Sequence, residues 1–423
     1  LMKSFWILKK LENSLLKMLQ KILNPFRSSF RKINNFIPYG RQKITKNDIR
    51  AVKNTLKSKN LTQGDQVPLF ESEISKVVQS NYAVAVNSGT SALHIACLAL
   101  NLQRNDYLWT SPISFVASAN CGVYCGAKID FVDINTLTGL LDINKLKDKL
   151  EESEKTGKLP KILVCVHLAG TSCDMKIINK LSKKYGFKII EDASHGIGGF
   201  YNNRPVGSCD YSDISVFSFH PVKIITTAEG GIATTKNIEL ARKMQLLRSH
   251  YIERDKEKFI SDDYGLWTYE QQGIGFNYRM NDIQAALGLS QLKRLSKIVN
   301  KRNQILDFYK ENMKSDEITF LEIPSNVKSS VHLVVILLKN ISYDSYKNIF
   351  AKLRSYNIGV QLHYMPIHLQ PYYKNQGFKE GDFPASEKYS KMALSIPVFE
   401  DLKKREMNYV IEKLTKSYYQ FSK

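Results

Sequence analysis

Several things are scarce in this sequence. No stretch approaches the roughly 18 apolar residues of a membrane span. The apolar run Phe5–Leu8 is too short for a secretory leader and is cut off by Lys9 and Lys10. Cysteine occurs six times in 423 residues, never as a CxxC pair. Most of these cysteines sit among apolar or small residues, which suggests reduced, buried thiols in a cytoplasmic protein rather than a disulfide framework. Histidine occurs eight times with no ligand-spaced cluster, so no metal site is expected. Acidic side chains are outnumbered 40 to 61 by basic ones, leaving a net charge of +21. Residues 1–36 hold eight Lys or Arg less one Glu, which is +7 of that total. The rest is spread along the chain without a basic block interleaved with aromatics, so no nucleic-acid groove is expected. A positive field favours capture of an anionic ligand; solvated lysine-rich faces account for the charge equally well.

Between these absences lies an orderly chain. Leu8, Leu11, Leu15, Met18, Leu19 and Ile22 recur at three- and four-residue steps, predicting a basic helix over 4–23 that Asn24-Pro25 ends. Residues 1–36 thus read as a basic amphipathic extension, either lying on a membrane surface or loosely attached. From residue 37 short apolar strands alternate with helical patterns: 83–86, 106–110, 128–132, 162–167, 187–190, 214–217 and 231–234 are the strands, and 91–100, 143–152 and 176–185 are helices among them. That alternation predicts an α/β domain over 37–305 with a mainly parallel sheet covered on both faces. A long helical stretch is expected from Asn281 to about Met313. Residues 306–423, with a strand at 331–338, read as a smaller α+β domain.

Four segments carry chemistry. Asp192 and His195, in Glu191-Asp192-Ala193-Ser194-His195, follow a strand, and open parallel sheets bind ligands at such strand ends. Taken alone, an acid there serves as readily as a cap. Lys223 follows Phe217-Ser218-Phe219-His220-Pro221-Val222, in a turn between two strands among proline and β-branched residues; a lysine disfavoured as a cation by burial is an amine nucleophile. Gly89, Thr90 and Ser91 follow a strand and open a helix, which makes an anion site, although Ser and Thr also cap ordinary helices. Phe115 follows another strand end and is suited to stacking on a flat ring, or to the core. A Schiff-base lysine, a carboxylate for a ring nitrogen, a phosphate site with Ser218 and a stacking aromatic are together what pyridoxal phosphate (PLP) requires. His167 is placed to face such a site or to serve structure, and Asp133 and Asp174 read as turn or cap residues.

The segments NSGTSAL, EDASH, FSFHPVK, EGG and Gly275-Phe276-Asn277-Tyr278-Arg279-Met280-Asn281-Asp282, in this order, resemble the DegT–StrS family of sugar aminotransferases from about Phe36 to the end. The resemblance implies the fold of PLP-dependent transferases of type I (aspartate-aminotransferase-like), with a seven-stranded sheet. It implies that Lys223 binds PLP, Asp192 pairs with the ring nitrogen, His195 lies near the ring oxygen, and Thr90 and Ser218 hold the phosphate. Asn277 would reach the phosphate from a neighbouring subunit, giving a homodimer with shared active sites. The runs KNLTQG at 59–64, PISFVASAN, FSFHPVKIITTAEGG and QLHY at 361–364 resemble the branch of the family that moves nitrogen from L-glutamate to C4 of a UDP-linked 4-keto-6-deoxy-N-acetyl sugar in pseudaminic acid biosynthesis. By that resemblance Tyr39, Lys59, Asn60, Leu61, Thr62, Arg279, Gln361, Leu362, His363 and Tyr364 are substrate candidates. Lys223 argues against the sugar dehydratases of this fold, which carry His there. With Asp192 and Ser218 it also argues against a non-catalytic sensor. Tyr251 stands where the family often has glycine, a departure expected to reshape the loop 251–275.

Overall fold

The computed structural model describes residues 35–261 and 265–422. The expected helix over 4–23, and the membrane-surface reading that rests on it, lie outside them. The seven expected strands all form: β1 (Tyr82–Val86), β2 (Tyr107–Thr110), β3 (Lys128–Phe131), β4 (Ile162–Val166), β5 (Lys188–Asp192), β6 (Ile214–Ser218) and β7 (Gly231–Thr235). They make one sheet in the order β1-β7-β6-β5-β4-β2-β3, in which only β7 runs antiparallel to its neighbours.

Side chains alternate across this sheet as the pleat requires. Leu163, Cys165 and Ile189 pack on one face with Leu146 and Leu150 of α5 (Ile143–Thr156) and Ile178 of α6 (Met175–Tyr185). Ile162, Val164 and Ile190 pack on the other with Leu93 and Cys97 of α3 (Gly89–Ala99), Cys121 of α4 (Ala117–Tyr124) and Met244 of α7 (Ile238–Leu247). Because both faces are covered, strands such as Ile162–Val166 are apolar throughout. Near the start of the described chain, α1 (Lys46–Leu56) and α2 (Gln66–Val78) pack on α8 (Asp282–Leu292).

A three-stranded antiparallel sheet, β8 (Ile318–Phe320), β9 (Val334–Leu338) and β10 (Ala393–Ile396), forms a second core with α10 (Tyr343–Ser355) and α11 (Lys404–Phe421). Ile37 belongs to this core and bridges Ile358. Helix α9 (Leu295–Asn312) serves both cores, with Ile298 and Val299 in the first and Ile305 and Tyr309 in the second.

Two expectations are corrected. The helical stretch from Asn281 breaks at Lys293-Arg294, where Arg294 is held by Glu400 at 2.9 Å, by Asp48 at 3.2 Å and by the Lys43 carbonyl. The strand expected from Val331 begins at Val334. Val331 sits at φ +51°, and the buried Arg302 guanidinium donates to the Val331 and His332 carbonyls, so the chain is pinned before it can extend.

Candidate active site

The carboxyl ends of β4, β5 and β6 open into a cavity of about 530 Å³. Twelve of its lining residues were singled out from sequence as cofactor or substrate contacts: Asp192, Lys223, Gly89, Thr90, Phe115, His195, Ser218, Tyr39, Gln361, Leu362, His363 and Tyr364.

Asp192 ends β5 and is buried. Its Oδ2 accepts from Ser118 Oγ at 2.6 Å, and its Oδ1 accepts the Ser194 N–H at 3.1 Å. Ser118 in turn touches Ser114 Oγ at 2.6 Å. Two donors thus fix the carboxylate's rotamer. Lys223 lies in the turn between β6 and β7, with its N–H on the His220 carbonyl; Thr226 and Thr227 tie the turn back to the Phe219 carbonyl. The cavity leaves Lys223 partly open, yet surrounding protein withholds bulk water from its ammonium. Burial pulls its pKa down to about 8 against the opposing influence of Asp192.

The start of α3 faces this turn. Ser88 caps the helix by accepting the Ser91 N–H at 3.1 Å. Ser91 itself does not line the cavity: its hydroxyl is engaged by Asn87 Oδ1 at 2.7 Å. A Cβ on Gly89 would stand 3.0 Å from Ser218 Cβ and 3.3 Å from its Oγ, so the space between helix start and strand end is open because residue 89 is glycine. Free N–H groups at a helix start, beside a hydroxyl, suit a phosphate.

Three imidazoles wall the opposite side. His195 Nδ1 accepts the Ala169 N–H at 3.3 Å, so Nε2 carries the proton and donates to Tyr364 Oη at 3.2 Å. His332 packs against His195 at a tilt of 42°, with 4.3 Å between ring centres. His363 Nδ1 meets Ser395 Oγ at 2.8 Å. Burial first, then the Lys223 charge among other neighbours, keeps His195 and His332 well below the usual imidazole range and takes His363 down to about 3. All three are neutral at pH 7. Phe115 stands exposed at the rim, 6.3 Å from the Tyr364 ring.

The remaining expected residues lie outside this cavity. Lys59, Asn60, Leu61 and Thr62 form an exposed loop, fastened by Asp282 to the start of α8: Asp282 accepts the Gly64 N–H at 2.7 Å and donates its own N–H to the Leu61 carbonyl. Asn277 is exposed and bridges Ser249, while Arg279 bridges Val86 at the end of β1. His167 faces away from the cavity; its Nδ1 accepts the Cys173 N–H and its Nε2 donates to Glu191 at 2.7 Å. Asp174 caps α6, and Asp133 accepts from Ser386. Tyr251 adopts φ +59°, the left-handed conformation a glycine would hold, and its N–H still donates to the Leu246 carbonyl at 2.7 Å. Ser114, Ser118, Ser194, Glu229 and His332 were not anticipated. The four-residue spacing of Ser114 and Ser118 was the available signal for that pair. Among the described residues no group of side chains could hold a metal ion, and no helix is long and apolar enough to cross a membrane.

A mainly parallel sheet with one antiparallel strand, and a buried carboxylate, a lysine turn and an anion cradle at its strand ends, define a PLP-dependent enzyme of fold type I. The chain belongs to the DegT/DnrJ/EryC1/StrS aminotransferase family, whose model matches residues 42–415. It is similar to the UDP-4-amino-4,6-dideoxy-N-acetyl-beta-L-altrosamine transaminase of Campylobacter jejuni, with 37% identity over 391 residues, 90% of this chain and 99% of that protein. Its structure is similar to that of Helicobacter pylori PseC, an aminotransferase involved in the biosynthesis of pseudoaminic acid (32% identity, TM-score 0.83, covering 92% of this chain and 100% of that one). It is also similar to the PMP form of the putative sugar aminotransferase Spr1654 of Streptococcus pneumoniae (28% identity, TM-score 0.84, covering 91% and 100%).

Proposed function

We propose that this enzyme moves the amino group of L-glutamate to C4 of a nucleotide-linked 4-keto-6-deoxy sugar in the cytoplasm, with UDP-2-acetamido-2,6-dideoxy-β-L-arabino-hexos-4-ulose as substrate, for pseudaminic acid biosynthesis. The observation that carries this reading is the convergence of Lys223, Asp192 and the Gly89–Thr90 cradle on one cavity, in a chain 37% identical to the C. jejuni transaminase along 90% of its length.

PLP, when bound, supplies the electron sink that lets nitrogen leave one substrate and join the other. Asp192, its rotamer fixed by Ser118 and Ser194, holds a proton on the ring nitrogen. The Gly89 and Thr90 N–H groups and Ser218 hold the phosphate. Lys223, whose hold on its proton burial weakens to a pKa of about 8, carries the proton to and from the reacting carbon. His195 donates through Nε2 and, with Tyr364, orients the polar edge of the ring. Tyr39, Gln361, Leu362 and His363 form the wall left for the sugar.

The working unit in this proposal is a homodimer with shared sites, the commonest oligomeric symmetry. Asn277, Arg279 and the loop Lys59–Thr62 do not line the cavity of their own chain, which supports their facing the cavity of a second copy. On the neighbouring loop, Leu266 and Trp267 are 91% and 86% exposed, as residues awaiting an interface would be. Arg279 and Lys59 then meet the diphosphate, where a guanidinium binds two oxygens at once. Incubating the protein with PLP, glutamate and a panel of nucleotide 4-keto sugars, with the product identified by mass spectrometry, tests the substrate. Preference for the D-xylo epimer or for a dTDP sugar would overturn the assignment and leave the aminotransferase chemistry standing.

A further inference from the structure

His332 stands in the cavity wall and has no part in the chemistry described so far. It lies two residues before β9 of the second core's sheet, whereas His195, which it touches, follows β5 of the large sheet. The two residues are 3% and 5% exposed, and their ring centres are 4.3 Å apart at a tilt of 42°.

Backbone bonds hold the contact from both sides. Ala169, at φ +58° in the turn after β4, serves both histidines: its carbonyl accepts the His332 N–H at 2.9 Å, and its N–H donates to His195 Nδ1 at 3.3 Å. Ser330 Oγ donates to the His195 carbonyl at 2.7 Å, and the Ser330 N–H donates to the Gly170 carbonyl at 3.1 Å. Arg302 of α9 donates to the Val331 and His332 carbonyls. A Cβ on residue 170 would stand 2.5 Å from Ser330 Oγ, so glycine there is what lets the two segments meet this closely.

We propose that His332 is a positioning residue for amino transfer: its flat ring braces the His195 imidazole so that Nε2 donates toward the ring oxygen of bound PLP. The proposal rests on the role given to His195 above. Hydrogen bonding does not account for a histidine at position 332. Its Nδ1 is buried and finds no partner among the described residues, an arrangement that costs stability rather than adding to it. Charge does not account for it either. Burial, with His195, Lys223, Arg302 and His363 as its titratable neighbours, keeps the ring neutral. What His332 offers is a flat, uncharged surface. The Ala169 N–H fixes which His195 nitrogen carries the proton, but one hydrogen bond at one edge leaves the ring free to tilt. Packing against His332 removes that freedom and keeps the Nε2–H aimed at Tyr364 Oη, 3.2 Å away, and at the cofactor edge.

The test reads the visible absorbance band of the full-length, PLP-loaded protein against pH, before any substrate is added. A donor at the ring oxygen favours loss of the proton that this oxygen shares with the cofactor-bound Lys223 nitrogen. Removing the donor should therefore raise the pH midpoint of the band, by about 0.5–1 unit for one hydrogen bond. We expect that rise in His195→Phe. His332→Ala should show at least about half of it, while His332→Phe, which restores a flat ring, should stay within about 0.2 unit of wild type. His332→Leu keeps the bulk without the flat ring, should shift as the alanine variant does, and stands in for it if that variant does not fold. A rise in His195→Phe with none in His332→Ala or His332→Leu would overturn the proposal and leave the reading of His195 standing. No rise in His195→Phe would overturn both. A His332→Phe midpoint displaced as far as that of His332→Ala would also overturn the proposal, since a flat ring would then not be what His332 supplies.

Discussion

Replacing Ser118 with alanine removes one oxygen from a site where nothing else changes. Ser118 is fully buried, and its hydroxyl donates to Asp192 Oδ2 at 2.6 Å, while Asp192 Oδ1 keeps the Ser194 N–H at 3.1 Å. A hydrogen bond to a charged group contributes about 1.5–3 kcal/mol. The void left by a hydroxyl oxygen is smaller than a methyl group, so the loss of packing is minor beside this. If the bond holds the carboxylate in its working rotamer, the loss falls on the rate of amino transfer. At about 1.4 kcal/mol per decade it lowers the single-turnover rate with glutamate by about 10- to 150-fold. Rapid mixing with glutamate, followed by the change in cofactor absorbance, measures that rate, and a PLP titration and a thermal melt report binding and folding separately. Ser114→Ala, one bond further from Asp192, should cost less than about fivefold, since it leaves the Ser118 donor in place. A Ser118→Ala protein that stays folded and reacts within twofold of wild type would refute the role assigned to this serine.

Lys223→Ala should abolish turnover, and borohydride reduction of the wild-type holoenzyme should fix PLP on Lys223; peptide mapping of the adduct to another lysine would refute this. Asp192→Asn should still bind PLP and react slowly, measured by the same rapid-mixing assay. In the cofactor-free protein the folded state lowers the Lys223 pKa to about 8, below its unfolded value, so folding is penalised where both states are protonated. Stability should therefore rise with pH between about 8 and 10.5, and Lys223→Met should be more stable than wild type at pH 7, by at most about 3.4 kcal/mol, with the gain gone by about pH 10.5. Subunit exchange between inactive Lys223→Ala and Asn277→Ala proteins should restore activity if sites are shared; no recovery after verified exchange would place Asn277 in its own chain's function or make it inessential.

The strands were legible because both faces of the sheet are covered, so each appears as a short unbroken apolar run. Lys223, Asp192, Ser218 and Gly89 were legible because their neighbours along the chain carry the same chemistry. Ser118 was not: it sits within a helix, and its task is defined by a carboxylate 74 positions away. His332 was hidden for a similar reason, since its place on His195 depends on Arg302 halting the chain before β9. The break after α8 carries no proline or glycine; the reach of Arg294 to Asp48 and Glu400 creates it, and periodicity does not register such long-range anchors.

The pairing of Ile37 with Ile358 has a practical side for anyone wishing to attach something to the front of this chain. The Ile37 N–H donates to the Asn357 carbonyl at 2.8 Å, and the Gly359 N–H donates back to Ile37 at 2.7 Å. Two residues on, Tyr39 enters the cavity wall, and its carbonyl accepts the Val398 N–H at 2.9 Å. These hooks stand between the leading segment and the wall, so a fluorophore or affinity handle joined ahead of residue 35 pulls on backbone hydrogen bonds before it pulls on Tyr39. The hooks depend on close passage at Gly359, where a Cβ would stand 2.8 Å from the Tyr39 nitrogen. A label spliced at 38, or any side chain at 359, would transmit its motion straight to the cavity wall.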